Sequence, residues 1–285
     1  MSAAQQTSVS TTTHRTAPQQ IRAIPTDSAR SPLWSSLDEV FKLLHIPLTN
    51  TQAGRELRFQ HICVKAGQRV HTADEKFESL HVVNSGFLKT ASIDEHGNEQ
   101  VIGFPMKGDV LGIESVCTKR YPWECVALTD CNLIVIPYQT LMGLCRESED
   151  IQNAAFNLLS RDLQHSQTTI NMLGVPNAEI RVARFLVHLA ERYGELGYSR
   201  TMFNLQMTRQ EIGNYLGLSL ETVSRAFSAL NEVGLISVDQ RAIQVNELDV
   251  LKMMRRIPAS RLQGRTLQRM KKADAAHHSA QAAFS

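Results

Sequence analysis

Glu221, Ser224 and Arg225 carry the side chains best suited to chemistry in this 285-residue sequence. Residues three and four apart share one face of a helix, so these three point the same way. Arg225 can donate two parallel hydrogen bonds to the O6 and N7 of a guanine, and Glu221 can accept from a cytosine N4. Ser224 can bond a base edge or touch a thymine methyl. On an isolated helix the same Glu and Arg would read as a solvated ion pair. Their frame decides between the two readings. Thr208 with Glu211 makes a capping box for one short helix, Gly217 supplies a tight turn, and Ser219 offers a cap to a second helix. Ile212, Leu216, Leu218, Val223, Phe227 and Leu230 fall at helical spacings and supply one apolar wedge, which leaves the opposite face open. The pattern predicts a helix-turn-helix whose second helix enters a DNA groove. Thr208, Arg209, Ser219 and Thr222 lie at the two helix starts, where phosphate oxygens meet free backbone N–H groups, and are expected to position the backbone.

The runs Met207-Thr208-Arg209, Glu211-Ile212-Gly213-Asn214-Tyr215-Leu216-Gly217-Leu218 and Glu221-Thr222-Val223-Ser224-Arg225 resemble the DNA-binding end of the CRP/FNR superfamily. Within it, Glu-x-x-Ser-Arg over 221–225 is similar to the branch of the fumarate and nitrate reductase regulator (FNR). The resemblance runs from about Pro32 to about Pro258. It implies an α+β chain with an N-terminal cyclic-nucleotide-binding-like β roll, a long dimerisation helix and a C-terminal winged helix-turn-helix. It also implies a homodimer on double-stranded DNA, half-sites similar to TTGAT in an inverted repeat, and contact with RNA polymerase.

The chain itself divides in a compatible way. Residues 1–31 are rich in Ser, Thr, Gln and Ala with no apolar period and read as a disordered tail. The span 32–137 is expected to be the β roll. Its apolar runs at Leu80-His81-Val82-Val83, Phe87 to Ile93, Gln100 to Phe104 and Asn132 to Ile136 are punctuated by Asn84-Ser85-Gly86, His96-Gly97-Asn98 and Lys107-Gly108-Asp109. Residues 138–174 turn helical. There Phe156, Leu159, Leu163, Ser166, Ile170 and Leu173 recur at alternating spacings of three and four, the mark of a heptad seam. Packing against the chain's own roll is the alternative use of such a stripe. Gly174-Val175-Pro176-Asn177 breaks this helix and makes a hinge into a DNA-binding domain at 175–250. Its first helix runs from about Ala178 to Tyr193, and a wing hairpin flanks Asp239-Gln240-Arg241. In the tail from 251 to 285, Lys252 to Lys272 holds eight Lys or Arg and no Asp or Glu, a segment able to follow phosphates or remain solvated.

Composition adds bounds. At 42% hydrophobic and 20% charged with a net charge of +2, the chain is ordinary for a soluble protein. No signal peptide or membrane span is visible, so a cytoplasmic protein without membrane contact is expected. No P-loop, metal motif or nucleophile-base constellation appears, which argues against an enzyme.

The sensing chemistry of the resembled family is not legible here. Its cyclic-nucleotide members hold ribose with a Glu and phosphate with an Arg-Ser pair. At the matching positions this sequence carries Ile113 and Trp123-Glu124. Its oxygen-sensing members bind a [4Fe-4S] cluster through three N-terminal cysteines and one in the roll. Matching Leu44-His45-Ile46-Pro47 to the family's Leu-Cys-Ile-Pro puts His45 at the last N-terminal ligand, Glu39 and Ser36 near the other two, and Ile134 near the fourth. Cluster iron needs thiolates, and no cysteine precedes Cys63. No cofactor is therefore expected. Cys63, Cys117, Cys125, Cys131 and Cys145 match no metal spacing and read as small buried hydrophobes, with a redox-active thiol, a haem or a small molecule as the alternative effector chemistry.

Overall fold

The period-two stretch of the chain folds into two antiparallel sheets in a computed structural model that describes residues 33–47 and 53–254. The N-terminal and C-terminal tails anticipated above lie outside these residues, apart from the last few positions before 255. Strand β1 (Trp34–Ser36) leads into helix α1 (Leu37–Leu43), which starts in a capping box between Ser36 and Glu39. The roll then runs through β2 (Arg58–Val64), β3 (Arg69–His71), β4 (Ser79–Ser85), β5 (Leu88–Ile93), β6 (Glu99–Gly103), β7 (Val110–Leu111), β8 (Glu124–Ala127) and β9 (Cys131–Pro137). One sheet has the order β1-β2-β9-β4-β7 and the other β3-β8-β5-β6. Alternate residues point inward, so Phe59, Leu80, Val82, Ile134 and Ile136 meet α1 in one core, while Val64, Leu88, Leu111 and Leu133 form another. Short strands such as β3 and β7 carry no alternation of their own and were not anticipated.

Two buried histidines sit inside the roll. His71 stacks on Tyr121 with ring centroids 3.8 Å apart, and His81 lies 6.4 Å from both. Neither ring nitrogen of His71, nor Nδ1 of His81, has a hydrogen-bond partner among the described residues. Burial, with repulsion from His81, pushes the His71 pKa down to about 3. Burial takes His81 down to about 4. In the unfolded chain both protonate near 6.5, so below that pH the unfolded state binds more protons and stability falls as pH drops. Urea titrations are expected to lose about 2–4 kcal/mol between pH 7 and 5 from this pair. The loss should shrink in His71→Phe, which keeps the stack on Tyr121; an unchanged pH slope in that variant would contradict the assignment.

After Pro137 the chain is helical, but in two pieces. Helix α2 (Tyr138–Glu147) ends at Ser148, which is extended and whose hydroxyl caps α3 (Glu149–Leu173) by accepting from the Ile151 N–H. The 25-residue α3 buries Ile151, Ala154 and Met172 against its own chain. The DNA-side domain follows: α4 (Ala178–Glu195), β10 (Met202–Asn204), α5 (Arg209–Leu216), α6 (Leu220–Glu232), β11 (Ile236–Asp239), β12 (Ala242–Val245) and α7 (Leu248–Met253). Asn177 caps α4 through its side chain. The wing has three strands, in the order β10-β12-β11, because Met202–Asn204 pairs with β12 as well. Helix α7 carries the domain past residue 250: Leu251 is buried and Lys252 pairs with Glu191 at 2.8 Å, so the first positions assigned to the basic tail are folded. No helix among the described residues is long and apolar enough to cross a membrane.

Candidate nucleic-acid interface

Helices α5 and α6 form around one core. Ile212, Leu216, Val223, Phe227 and Leu230 are all buried there with Phe185, Leu186 and Leu189 of α4. The turn between them depends on two glycines. Gly217 closes α5 in the left-handed conformation at φ 62°, which an L side chain rarely adopts. Gly213 lies against the Leu218 carbonyl, and a Cβ there would stand 2.6 Å from that oxygen. At the start of α5, the Thr208 hydroxyl accepts from the Glu211 N–H at 3.1 Å, while Glu211 accepts from the Thr208 N–H at 2.8 Å. At the start of α6, Ser219 accepts from the Thr222 N–H at 3.2 Å, and the two hydroxyls are 3.0 Å apart.

The buried stripe of α6 turns the rest of the helix to solvent. Glu221, Ser224 and Arg225 are exposed together on that side, as the spacing requires. The Glu221 carboxyl is held below its ordinary range by its own backbone N–H, the Ser219 hydroxyl and the Arg225 charge. It is therefore an acceptor at neutral pH, and Arg225 is a donor fork beside it. Leu220, 40% exposed, opens the same helix and places an apolar side chain next to these polar groups. Its exposure is not legible from a sequence in which leucines mostly mark the core.

The expected backbone contacts divide. Thr208 and Ser219 are exposed at their caps, and Thr222 is half-buried. Arg209 is half-buried: its guanidinium lies 3.5 Å from the centroid of the Phe227 ring. Burial there lowers its pKa to about 10, so it stays charged but occupied.

On α3, Phe156, Leu159, Leu163 and Ile170 are 62%, 47%, 60% and 66% exposed, while Leu173 at its end is half-buried. This exposure argues against packing on the chain's own roll as the use of Phe156, Leu159 and Leu163, whereas Ser166 and Ile170 also line the cavity that the roll borders.

The roll and the helices border a half-open cavity of about 360 Å³ lined by Ile113, Glu114, Trp123, Arg161, His165 and Arg192, among others. The positions matched above to the family's cyclic-nucleotide anchors carry other side chains here. Ile113 and Trp123 offer no charge to ribose or phosphate, and Glu124 is bound to Arg69 at 3.0 Å. At the positions matched above to cluster ligands, Ile134 is a buried aliphatic residue and His45 sits in a left-handed turn at φ 54°. Among the described residues no three His, Cys, Asp or Glu converge as a metal-binding group. The reading of all five cysteines as buried hydrophobes needs correction. Cys125 and Cys131 are buried, with burial pushing both thiols up, but Cys63 and Cys117 are exposed and Cys145 is half-buried. Cys63 occupies an outward position of β2 that a short alternating strand does not announce.

Comparison with known proteins agrees with this architecture. Residues 180–254 match the Crp-like helix-turn-helix domain and residues 61–148 the cyclic nucleotide-binding domain. The chain is 34% identical over 209 residues to the transcriptional regulatory protein btr of Bordetella pertussis, covering 73% of this chain and 86% of that one. It is 35% identical over 182 residues to the transcriptional activator protein anr of Pseudomonas aeruginosa, covering 64% and 75%. It is 33% identical over 188 residues to the fumarate and nitrate reduction regulatory protein of Escherichia coli, covering 66% and 75%. Among solved structures, FixK2 from Bradyrhizobium japonicum superposes with a TM-score of 0.64 at 26% identity, over 71% of this chain and all of that one. The relatives are regulators rather than enzymes, and the matched domains, the capped helix pair and the exposed Glu221–Arg225 face lead to one conclusion: this chain belongs to the CRP/FNR family of DNA-binding transcription regulators.

Proposed function

We propose that the protein acts as a homodimer on an inverted repeat with half-sites similar to TTGAT and activates transcription through RNA polymerase. The observation that carries the dimer is the exposed apolar stripe of α3, four large side chains at heptad spacing that no other described residue buries. A twofold pair of such helices presents two recognition helices to successive turns of the major groove. Glu221, Ser224 and Arg225 read base edges; the backbone N–H groups at the starts of α5 and α6, with Thr208, Ser219 and Thr222, hold phosphates. Activation is supported by the name of the Pseudomonas relative, a transcriptional activator. In vitro transcription from a promoter with and without the repeat tests it: repeat-dependent stimulation is expected, and repression or no effect would overturn the activator reading.

The same reading holds that DNA binding requires neither cyclic AMP nor an iron-sulfur cluster, because Ile113, Trp123, Glu124 and Ile134 replace the groups that chemistry uses. Aerobically purified protein should bind the repeat with equal affinity with or without cyclic AMP, and with little change on anaerobic handling, at fixed salt. A tenfold gain on adding cyclic AMP or on iron-sulfur reconstitution, about 1.4 kcal/mol, would refute it. A gated version of this activity, with a small molecule as effector, is favoured by the cavity of about 360 Å³ beneath the roll, which is of ligand size.

A further inference from the structure

We propose that the basic segment from Arg255 to Lys272 is a second DNA-contacting arm, which lies along the phosphates flanking the inverted repeat and supplies the positive charge that the rest of the chain lacks. Of the 30 Lys and Arg, eight fall between Lys252 and Lys272, a stretch without Asp or Glu. That leaves 22 against 28 Asp and Glu, so the remainder of the chain carries net negative charge. A body of that sign repels DNA at long range. The recognition face does little to reverse it, because Arg225 stands beside Glu221 and Arg209 lies on the Phe227 ring. Lys252 is paired with Glu191 at 2.8 Å, and the other seven cations follow Met254.

The fold fixes where this segment leaves the DNA-binding domain. Asn246, just before α7, donates from its backbone N–H to the Leu235 carbonyl at 2.9 Å and from its side chain to the Gly234 carbonyl at 3.0 Å. The entry to α7 therefore lies immediately past the C-terminal end of α6. Leu251 and Met254 are buried in the domain core with Ile212, Val223 and Leu230, so the root of the segment is held to the same body as the recognition helix. The 13 residues of α6 span about 20 Å at a rise of 1.5 Å per residue. From Met254 to Arg261 an extended chain covers about 23–25 Å. Arg261, Arg265, Arg269, Lys271 and Lys272 thus reach the DNA that α6 enters and can continue outward along its backbone. The acids at the root, Glu232, Glu247 and Asp249, are too few to neutralise the segment themselves.

The inference rests on the DNA-binding reading, and hydroxyl-radical footprinting with salt titrations of the full chain separates the two failures. The test variant combines Arg261→Gln, Arg265→Gln and Arg269→Gln, all beyond the buried core, and removes three cations from each protomer. Wild type is expected to protect sugars on both flanks of the repeat, and the variant to lose that protection. Affinity should fall about tenfold or more at low salt, for the repeat and for a scrambled duplex alike, because phosphates carry no sequence. The slope of log affinity against log salt should become shallower by about three or more. Replacing the same three residues by Lys should restore wild-type behaviour, since a phosphate accepts either cation.

Equal slope, affinity and flank protection in wild type and the Gln variant would overturn the arm. A loss confined to the repeat, with the scrambled duplex bound as before, would also overturn it, because the segment would then act on base readout. A wild type that binds repeat and scrambled duplex equally, with the slope still shallower in the variant, would overturn the reading of α6 and leave the arm standing.

Discussion

Leu163→Glu or Ile170→Glu is expected to convert the protein to a monomer and to abolish specific DNA binding at concentrations where the wild type is saturated. Both side chains are exposed in a single chain, so the substitutions place no charge in its core and the protomer should fold normally. In a paired seam the same carboxylate sits opposite its twin in an apolar strip, and an unpaired charge desolvated there costs several kcal/mol. That weakens the dimer by about a hundredfold or more. A monomer holds only one half-site and forfeits the gain from tethering the second recognition helix. Sedimentation velocity with circular dichroism checks this. A folded variant that stays dimeric, or a wild type that is monomeric at micromolar concentration, would show that the stripe on α3 serves another purpose.

The second large effect is expected at Arg225. Its guanidinium is exposed next to Glu221 at the open end of α6, able to reach the O6 and N7 edge of a guanine in the half-site. Arg225→Ala should cost about 1–3 kcal/mol per half-site and should relax the choice at one base pair, leaving discrimination elsewhere in place. Thr222→Ala removes a positioning contact and should weaken binding to all sequences alike. Competition titrations with each base of the half-site substituted in turn separate the two outcomes. If Arg225→Ala loses affinity uniformly, that residue contacts phosphate instead.

Much of this site is local and therefore legible in the sequence. Thr208 with Glu211, Gly217 and Ser219 mark helix ends by side-chain chemistry that acts within four residues, and the helices begin and end there. The i, i+4 face of Glu221 and Arg225 follows from helix geometry alone. Other signals were present but weaker: Ser36 with Glu39 caps α1, and Ser148 followed by two acids restarts the helix at α3. What was not legible depends on contacts distant in sequence. β3 and β7 exist because neighbouring strands supply their hydrogen bonds, and β10 because β12 does. The stacking of Arg209 on Phe227 and the bond from Lys89 to Glu211 join residues that only the finished fold brings together. The sensor is the opposite case: Ile113 and Trp123 are plain in the sequence and line the cavity, but neither side chain names what the cavity accepts.

The central claim, a homodimer reading two half-sites with α6, is tested most directly by one comparison at fixed salt. Affinity is measured for an inverted repeat of TTGAT half-sites and for the same duplex with one half-site scrambled. Scrambling one half-site is expected to cost about a hundredfold or more, because half of the base contacts and the tethered second domain are lost together. Equal affinity for the two duplexes would contradict it.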